Sequence, residues 1–329
     1  MSNQSPTKKR PHPDTTEIND NPDSEPKATA ATASAEEGIN ELKKEAITPD
    51  GEMPQKRFYR SRAHCNPLSH NDNFDYPKRP DLFDWTIDHY PNFHNHDQST
   101  TSTTTTKCKN GISNNKAKIV PTVLDIGCGF GGLTTALSTL LPGKLVLGLE
   151  IRAKVTEYVR LRILALRKEN PGQYENCSVL RSNTMKLMPH FFAKHSLEKI
   201  FFCFPDPHFK KKNHSRRIVS ESLLSEYAFF LKDGGRLYTI TDVEDLHNWH
   251  LKHCRAHPMF RELTEDEMAD DPCVKAMYNE TEESKKVERA GTKKYYAVYE
   301  KLGFENLKMQ ITAENFWNVD QFGVNEKAQ

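Results

Sequence analysis

Residues 123–132 read VLDIGCGFGG: a short apolar run, an acid, then glycines at 127, 129, 131 and 132. Few folds accommodate that order. Glycines permit positive φ and let a ligand approach the backbone, while the apolar run before them suits a buried strand. A second apolar run, KLVLGLEI, carries Glu150 at its end, eighteen residues beyond Gly132. The interval holds one helix, so the stretch reads as strand, tight turn, helix, strand, with the turn at a helix N-terminus suited to a ligand.

The same alternation continues along the chain. TVLDIG, KLVLGLEI, CSVLRS, KIFFCF and GRLYTIT are expected as strands, with helices near 132–141, 153–169, 185–194, 215–232 and 243–256. In the second helix Val155, Tyr158, Val159, Ile163 and Leu166 repeat at the spacing of one buried stripe, opposite a face of Arg and Lys. The pattern predicts an α/β fold with a mostly parallel, Rossmann-like sheet, helices on both faces, and ligands at the carboxyl ends of the strands. KKYYAVYEK is expected to pair antiparallel with the sheet edge.

That topology brings Asp125, Gly127, Gly129 and Glu150 to one end of the sheet. Glu150 closes its strand where a carboxylate accepts hydrogen bonds from ribose hydroxyls. The glycine spacing alone also fits a dinucleotide-binding dehydrogenase. Asp125 favours another ligand: a pyrophosphate needs dipoles with no anion beside it, whereas an acid two residues before the first glycine suits the amino end of S-adenosylmethionine.

A second constellation is FFCFPDPHFKKKNHSRR, residues 201–217. Asp206 emerges at the end of the fourth strand, over the same cleft. Pro205 and Pro207 fix two φ angles and restrict the residues before them, holding the carboxylate still. Lys210, Lys211, Lys212, Arg216 and Arg217, with His208 and His214, are expected to surround it with positive charge. Asp206 lies too far upstream to cap a helix starting near Ser215.

Taken together, DIGCGFGG, LGLEIR, RSN, FPDPHFKKKNHSRR, YTITDVEDLHNW and TEESKK resemble the successive motifs of the eukaryotic tRNA (guanine-N7-)-methyltransferase family, over about residues 54–301. The resemblance implies a class I methyltransferase fold, S-adenosylmethionine as donor, and a guanosine in the tRNA variable loop (position 46) as acceptor. It also implies a non-catalytic WD-repeat subunit forming a heterodimer, and a nuclear location, with the cytoplasm as a second compartment. Carried over by motif, Gly127, Glu150, Ile151, Arg152, Asn183, Thr184 and Cys203 occupy donor-binding positions. Asp206 occupies that of the active-site acid, and Lys210 and Asp242 those of substrate contacts. Thr281 and Glu283 fall in a C-terminal segment that closes over the donor. An mRNA-cap N7 methyltransferase shares the chemistry and differs in motif. A non-catalytic RNA-binding subunit would be free to lose the donor pocket, which is intact here.

Around this domain, expected over 119–302, composition changes. Residues 1–53 carry a net charge of −5 and no Phe, Trp or Tyr, too little apolar surface to offset the entropy of ordering, and are expected as a disordered acidic tail. Within it TKKRPHP reads as a nuclear-import cluster or as solvated charge. Residues 54–118 comprise an arm in which bases interleave with Phe58 and Tyr59, then a Thr-rich loop over 94–118. The arm suits gripping phosphate and stacking on bases, or packing on the domain. Residues 303–329 form a tail to which no role is assigned. The longest apolar runs fall short of the roughly 20 residues of a membrane helix and the N-terminus lacks a signal-peptide core, so a soluble intracellular chain is expected.

The seven cysteines form no C-x-x-C pair and are expected as reduced thiols, mostly packing residues. His247, His250, His253 and His257, with Cys254, share one face of a helix, but no second cluster completes a metal set. No metal is predicted, and that face is expected to be mostly solvated.

Overall fold

The computed structural model describes residues 48–62, 65–68, 74–93 and 119–303. The Thr-rich tract, nearly all of the C-terminal tail, and residues 1–47 of the acidic tail lie outside them. Residues 48–53 are described, and Asp50 Oδ1 lies 2.8 Å from a guanidinium nitrogen of helical Arg160.

Within the described residues one sheet forms from β1 (Val123–Ile126), β2 (Val146–Glu150), β3 (Cys177–Arg181), β4 (Leu197–Cys203), β5 (Leu231–Thr241), β6 (Phe260–Glu262) and β7 (Tyr295–Lys301). Its order is β3-β2-β1-β4-β5-β7-β6. β1 to β5 run parallel, whereas β7 pairs antiparallel with both β5 and β6. KKYYAVYEK thus pairs antiparallel with β5, the last of the parallel strands, as expected, and the short FRE strand covers its other side.

The helices are α1 (Trp85–Asp88), α2 (Gly132–Leu140), α3 (Ala153–Glu169), α4 (Thr184–Phe191), α5 (Glu221–Phe230), α6 (Glu244–Ala256), α7 (Glu265–Ala269), α8 (Pro272–Asn279) and α9 (Glu282–Arg289). Alternate side chains of each strand feed two cores. Leu124, Ile200, Phe202 and Leu237 pack with residues of α1, α4 and α5 on one face; Val123, Phe201, Tyr238 and Ile240 pack with α2, α3 and α8 on the other. Burial on both faces explains why these strands read as continuous apolar runs.

Three expectations change. The helix expected from 215 begins at Glu221, since Lys211–Arg216 form a 3-10 turn and Arg217 is extended at φ −66°, ψ 133°. The buried surface of α3 is wider than one stripe: Leu161 and Ala165 are also buried. The arm packs on the same helix, its 3-10 turn Lys56–Tyr59 bringing Tyr59 edge-on to Tyr158 at 5.8 Å. The histidine face of α6 is not solvated. His250 is 1% exposed, His257 is buried, His247 stacks on Tyr295 and His253 lies on Trp249. Burial lowers the His250 pKa to about 3, so it packs as a neutral ring. Among the described residues no group of three or more His, Cys, Asp or Glu is placed to hold a metal ion.

Candidate active site

β1 is flanked by β2 on one side and β4 on the other, so the chain leaves its carboxyl end in a crevice between diverging crossovers. A cavity of about 220 Å³ opens there. Its walls come from four strand ends: Ile126 and Gly127, Leu149 to Arg152, Ser182 to Met185, and Cys203 to Asp206. His208, Arg216 and Ile218 close one side, and Cys65 and Pro67 of the arm reach over the other.

Of the sequence-derived donor residues, Gly127, Glu150, Ile151, Arg152, Asn183, Thr184 and Cys203 all line this cavity. Gly127 and Gly129 have φ of 72° and 54°, and a methyl group at either would meet nothing within 4 Å. Glycine is thus required for conformation there, and the space in front of Gly127 is open to a ligand. Glu150 is almost fully buried, yet each oxygen is occupied differently. Oε1 accepts from the backbone N–H of Ile151 and Arg152 and from Arg152 Nε; Oε2 accepts from one Arg152 terminal nitrogen at 2.8 Å. That leaves Oε2 a lone pair for a ribose hydroxyl. Asn183 donates its amide to the Pro67 carbonyl at 2.7 Å, while its Oδ1 is buried without a hydrogen-bond partner.

Asp125 does not line the cavity, and neither does Gly129. The Asp125 carboxylate is buried beneath the glycine turn, where its Oδ2 accepts from Thr134 Oγ1 at 2.7 Å. Burial pushes its pKa up to about 7, with Glu282 and Glu150 adding to the rise and the Thr134 hydroxyl opposing it. The strand alternation sets Asp125 on the same face as Val123, toward the second core and α2.

Asp206 lies in the cavity wall. Its Oδ1 accepts from the His208 N–H at 3.2 Å, and its Oδ2 is 3.7 Å from His208 Nδ1. Phe204 at φ 51° and His208 at φ 45° bracket it in the left-handed region that non-glycine residues rarely adopt. Two contacts pin the loop: Phe204 N–H donates to the Ile240 carbonyl at 2.8 Å, and Arg217 Nε to the Pro207 carbonyl at 2.9 Å. Arg217 is buried with its guanidinium 4.6 Å over the Trp249 ring, and His214 sits edge-on to the same indole. Arg217 thus holds the loop and does not belong to the basic surface. Lys210, Lys211 and Lys212 are exposed beyond the cavity mouth, and exposed Asp242 follows the end of β5 beside β4.

Thr281 and Glu283 do not line the cavity. Thr281 caps α9, its hydroxyl accepting from Ser284 N–H at 2.8 Å, and Glu283 faces solvent, 3.2 Å from Lys286. Their neighbour Glu282 reaches the glycine turn instead. Its Oε2 accepts from Gly132 N–H at 3.2 Å, and its Oε1 from Arg162 at 2.9 Å and Lys56 at 3.2 Å. Sequence reasoning missed Glu282, Pro67 and Cys65. Each acts through an approach of distant segments that no local pattern records.

Whether S-adenosylmethionine suits this site can be judged from the site itself. Open space at Gly127, the remaining lone pair of Glu150 and the unpartnered Asn183 Oδ1 supply acceptors and a close backbone approach where a nucleoside requires them, and the residues fit. A parallel sheet reversing direction at β1, an antiparallel β7 inserted beside β5, and a strand-end acid at a nucleoside-sized cavity define a class I S-adenosylmethionine-dependent methyltransferase. A family model described as "Putative methyltransferase" matches residues 120–297. The tRNA (guanine-N(7)-)-methyltransferase of Botryotinia fuckeliana is 50% identical over 76% of this chain and 89% of its own length. That of Schizosaccharomyces pombe is 48% identical over 77% and 87%, and that of Zea mays 46% over 78% and 95%. Among solved structures the 16S rRNA methyltransferase KamB aligns over 56% of this chain and 88% of its own, at 14% identity and a TM-score of 0.39. The fold assignment rests on the sheet order above and not on that alignment. The chain belongs to the tRNA (guanine-N7-)-methyltransferase family, S-adenosylmethionine-dependent enzymes that methylate guanine N7 in tRNA.

Proposed function

We propose that the acceptor is the guanosine at position 46 of the tRNA variable loop, that Asp206 is the acid facing the guanine, and that the chain works as a nuclear heterodimer with a WD-repeat subunit. The observation that carries the site reading is the placement of Asp206 in the same cavity as Glu150 and Asn183. The partner and the compartment are supported by the motif resemblance.

When bound, S-adenosylmethionine supplies an electrophilic sulfonium methyl. Guanine N7 already has an available lone pair and no proton to lose, so the chain needs no general base for attack. Its residues orient and exclude water. Asp206 accepts from the guanine N1–H and N2–H edge, which fixes N7 and stabilises the positive charge developing on the ring. The left-handed residues on either side and the Arg217 bond to Pro207 keep that carboxylate from relaxing toward solvent. Glu150 and Asn183 hold the donor's nucleoside, and Lys210 with Asp242 contacts the tRNA at the mouth. Thr281 and Glu283 would join the donor site by a movement of α9.

Transfer of labelled methyl to tRNA transcripts carrying G46 or A46, with and without a co-expressed WD-repeat partner, followed by nucleoside mapping, tests this. Product confined to G46 and enhanced by the partner is expected. Unchanged 7-methylguanosine in the A46 transcript would overturn the position, and equal activity without the partner would overturn the need for a heterodimer.

A further inference from the structure

We infer that Phe209 is a substrate-positioning residue: its ring stacks on the tRNA base next to the target guanosine. This rests on the reading of Asp206 as the guanine-facing acid.

Phe209 is 71% exposed, an unusual state for a phenyl ring and more exposed than the other large apolar side chains exposed among the described residues. Its backbone, by contrast, is held. It follows His208, fixed at φ 45° and bonded through its N–H to Asp206, and precedes Lys210, whose carbonyl accepts from Asn213 N–H at 2.7 Å. Arg217 secures Pro207 through its carbonyl, and its guanidinium is itself held over the Trp249 ring. A large apolar ring on a pinned loop loses little conformational entropy on binding and gains a dry contact, the arrangement of a preformed platform.

Position selects the ligand. Asp206 and His208 line the cavity while Phe209, one residue on, does not, so a ring there lies outside the space for the target guanine. Exposed Lys210, Lys211 and Lys212 follow directly, a phosphate-attracting run that places a nucleic-acid backbone along this lip. A guanine drawn into a strand-end crevice leaves its former stacking partners, and single-stranded RNA bases stack on aromatic side chains wherever these are offered. The neighbouring base is thus the group that reaches Phe209, with its phosphate over the lysines. The stack offsets unstacking of the target and discriminates against nothing, since every base has a π face.

The test compares F209A and F209W in the full chain with its partner, using tRNA carrying 2-aminopurine at the nucleotide next to the target. For F209A the half-saturating tRNA concentration should rise about tenfold, as for loss of one stacked base, with donor affinity and Tm unchanged. The fluorescence quenching seen on binding to the wild type should be lost in F209A and kept in F209W. Unchanged tRNA affinity and quenching in F209A would overturn the proposal. Equal impairment of F209A and F209W with a lowered Tm would also overturn it, indicating a packing role. The companion D206N separates the two readings: normal single-turnover methylation there sinks the role of Asp206 yet leaves the stacking measurement to stand on binding alone.

Discussion

Arg152 forks onto Glu150, its Nε 3.0 Å from Oε1 and a terminal nitrogen 2.8 Å from Oε2, so the acid at the end of β2 is held by its own strand's exit before any ligand arrives. Glu150 side chain is 3% exposed and Arg152 22%. Removing the arginine leaves a buried carboxylate on two backbone N–H groups alone. R152M should therefore destabilise the fold by about 2 kcal/mol, below the roughly 3–5 kcal/mol of fully buried broken pairs because Arg152 is partly exposed and those N–H groups remain. E150A should weaken donor binding by about 10- to 100-fold, the worth of a hydrogen bond to a charged group. Urea unfolding and donor titration check the two separately. Unaltered donor affinity in E150A would remove the ribose role.

Asp206→Asn keeps shape and one acceptor but removes the charge opposite the developing ring cation. Its single-turnover rate should fall about 100-fold, the scale of losing one preorganised electrostatic contact, with donor binding within about twofold. Rapid-quench methylation with saturating tRNA reads it. A rate close to wild type would mean the carboxylate only shapes the loop.

Asp125 makes stability pH-dependent in a direction opposite to most acids. Burial lifts its folded pKa from 3.8 to about 7, so the folded state keeps a proton that the unfolded chain releases between those values. Its contribution is full below the unfolded pKa and is lost as pH rises through the folded one, with a slope approaching about 1.4 kcal/mol per unit. D125N, which can still accept from Thr134, should flatten that part of the profile between about pH 4 and 7. Identical slopes in variant and wild type, from urea unfolding at several pH values, would count against it.

Glu282 and Glu283 are neighbours with opposite surroundings. Loss of the Glu282 contacts to Gly132, Arg162 and Lys56 should lower stability by about 1–2 kcal/mol in E282A, as expected for a partly buried charge with several donors. E283A removes only an exposed pair and should shift stability by less than about 0.5 kcal/mol. If α9 closes over the donor, E283A should nonetheless weaken donor binding several-fold. Thermal unfolding alongside donor titration distinguishes the two acids, and unchanged donor affinity in E283A would end the closure reading.

Gly132 tests the same junction from the other side. A methyl there would meet the Glu280 carbonyl at 2.4 Å and a Glu282 carboxylate oxygen at 2.7 Å. Backbone cannot yield cheaply, so G132A should detach α9 and cost more than about 2 kcal/mol, beyond the range of overpacking that flexible side chains absorb. Protection of the α9 amides from hydrogen exchange should fall. Full protection would show that α9 adapts.

The parallel sheet, the glycine turn, the strand-end acids and the loop with Asp206 were all legible in the sequence. They depend on local causes: apolar runs buried on both faces, glycines where φ is positive, and prolines that fix their neighbours. The short elements β6, α7, α8 and α9 were not legible, because three to eight residues are too few for a period to emerge. Nor was the split among the bases after Asp206. Lys210 to Lys212 reach solvent while Arg217 turns inward to Pro207 and Trp249, a choice made by packing against α6 and invisible in a row of like charges. The two aromatics of the arm divide in the same way, Tyr59 against α3 and Phe58 half exposed under Arg57.

The sequence by itself determined which residues stand at the strand ends, since chain direction and alternation follow from neighbouring residues. Tertiary structure decided which of them face the cavity. It sent Asp125 under the turn, brought Pro67 onto Asn183 across more than a hundred residues, and set Glu282 on Gly132, because side-chain orientation and long-range closure arise only when the two cores are packed.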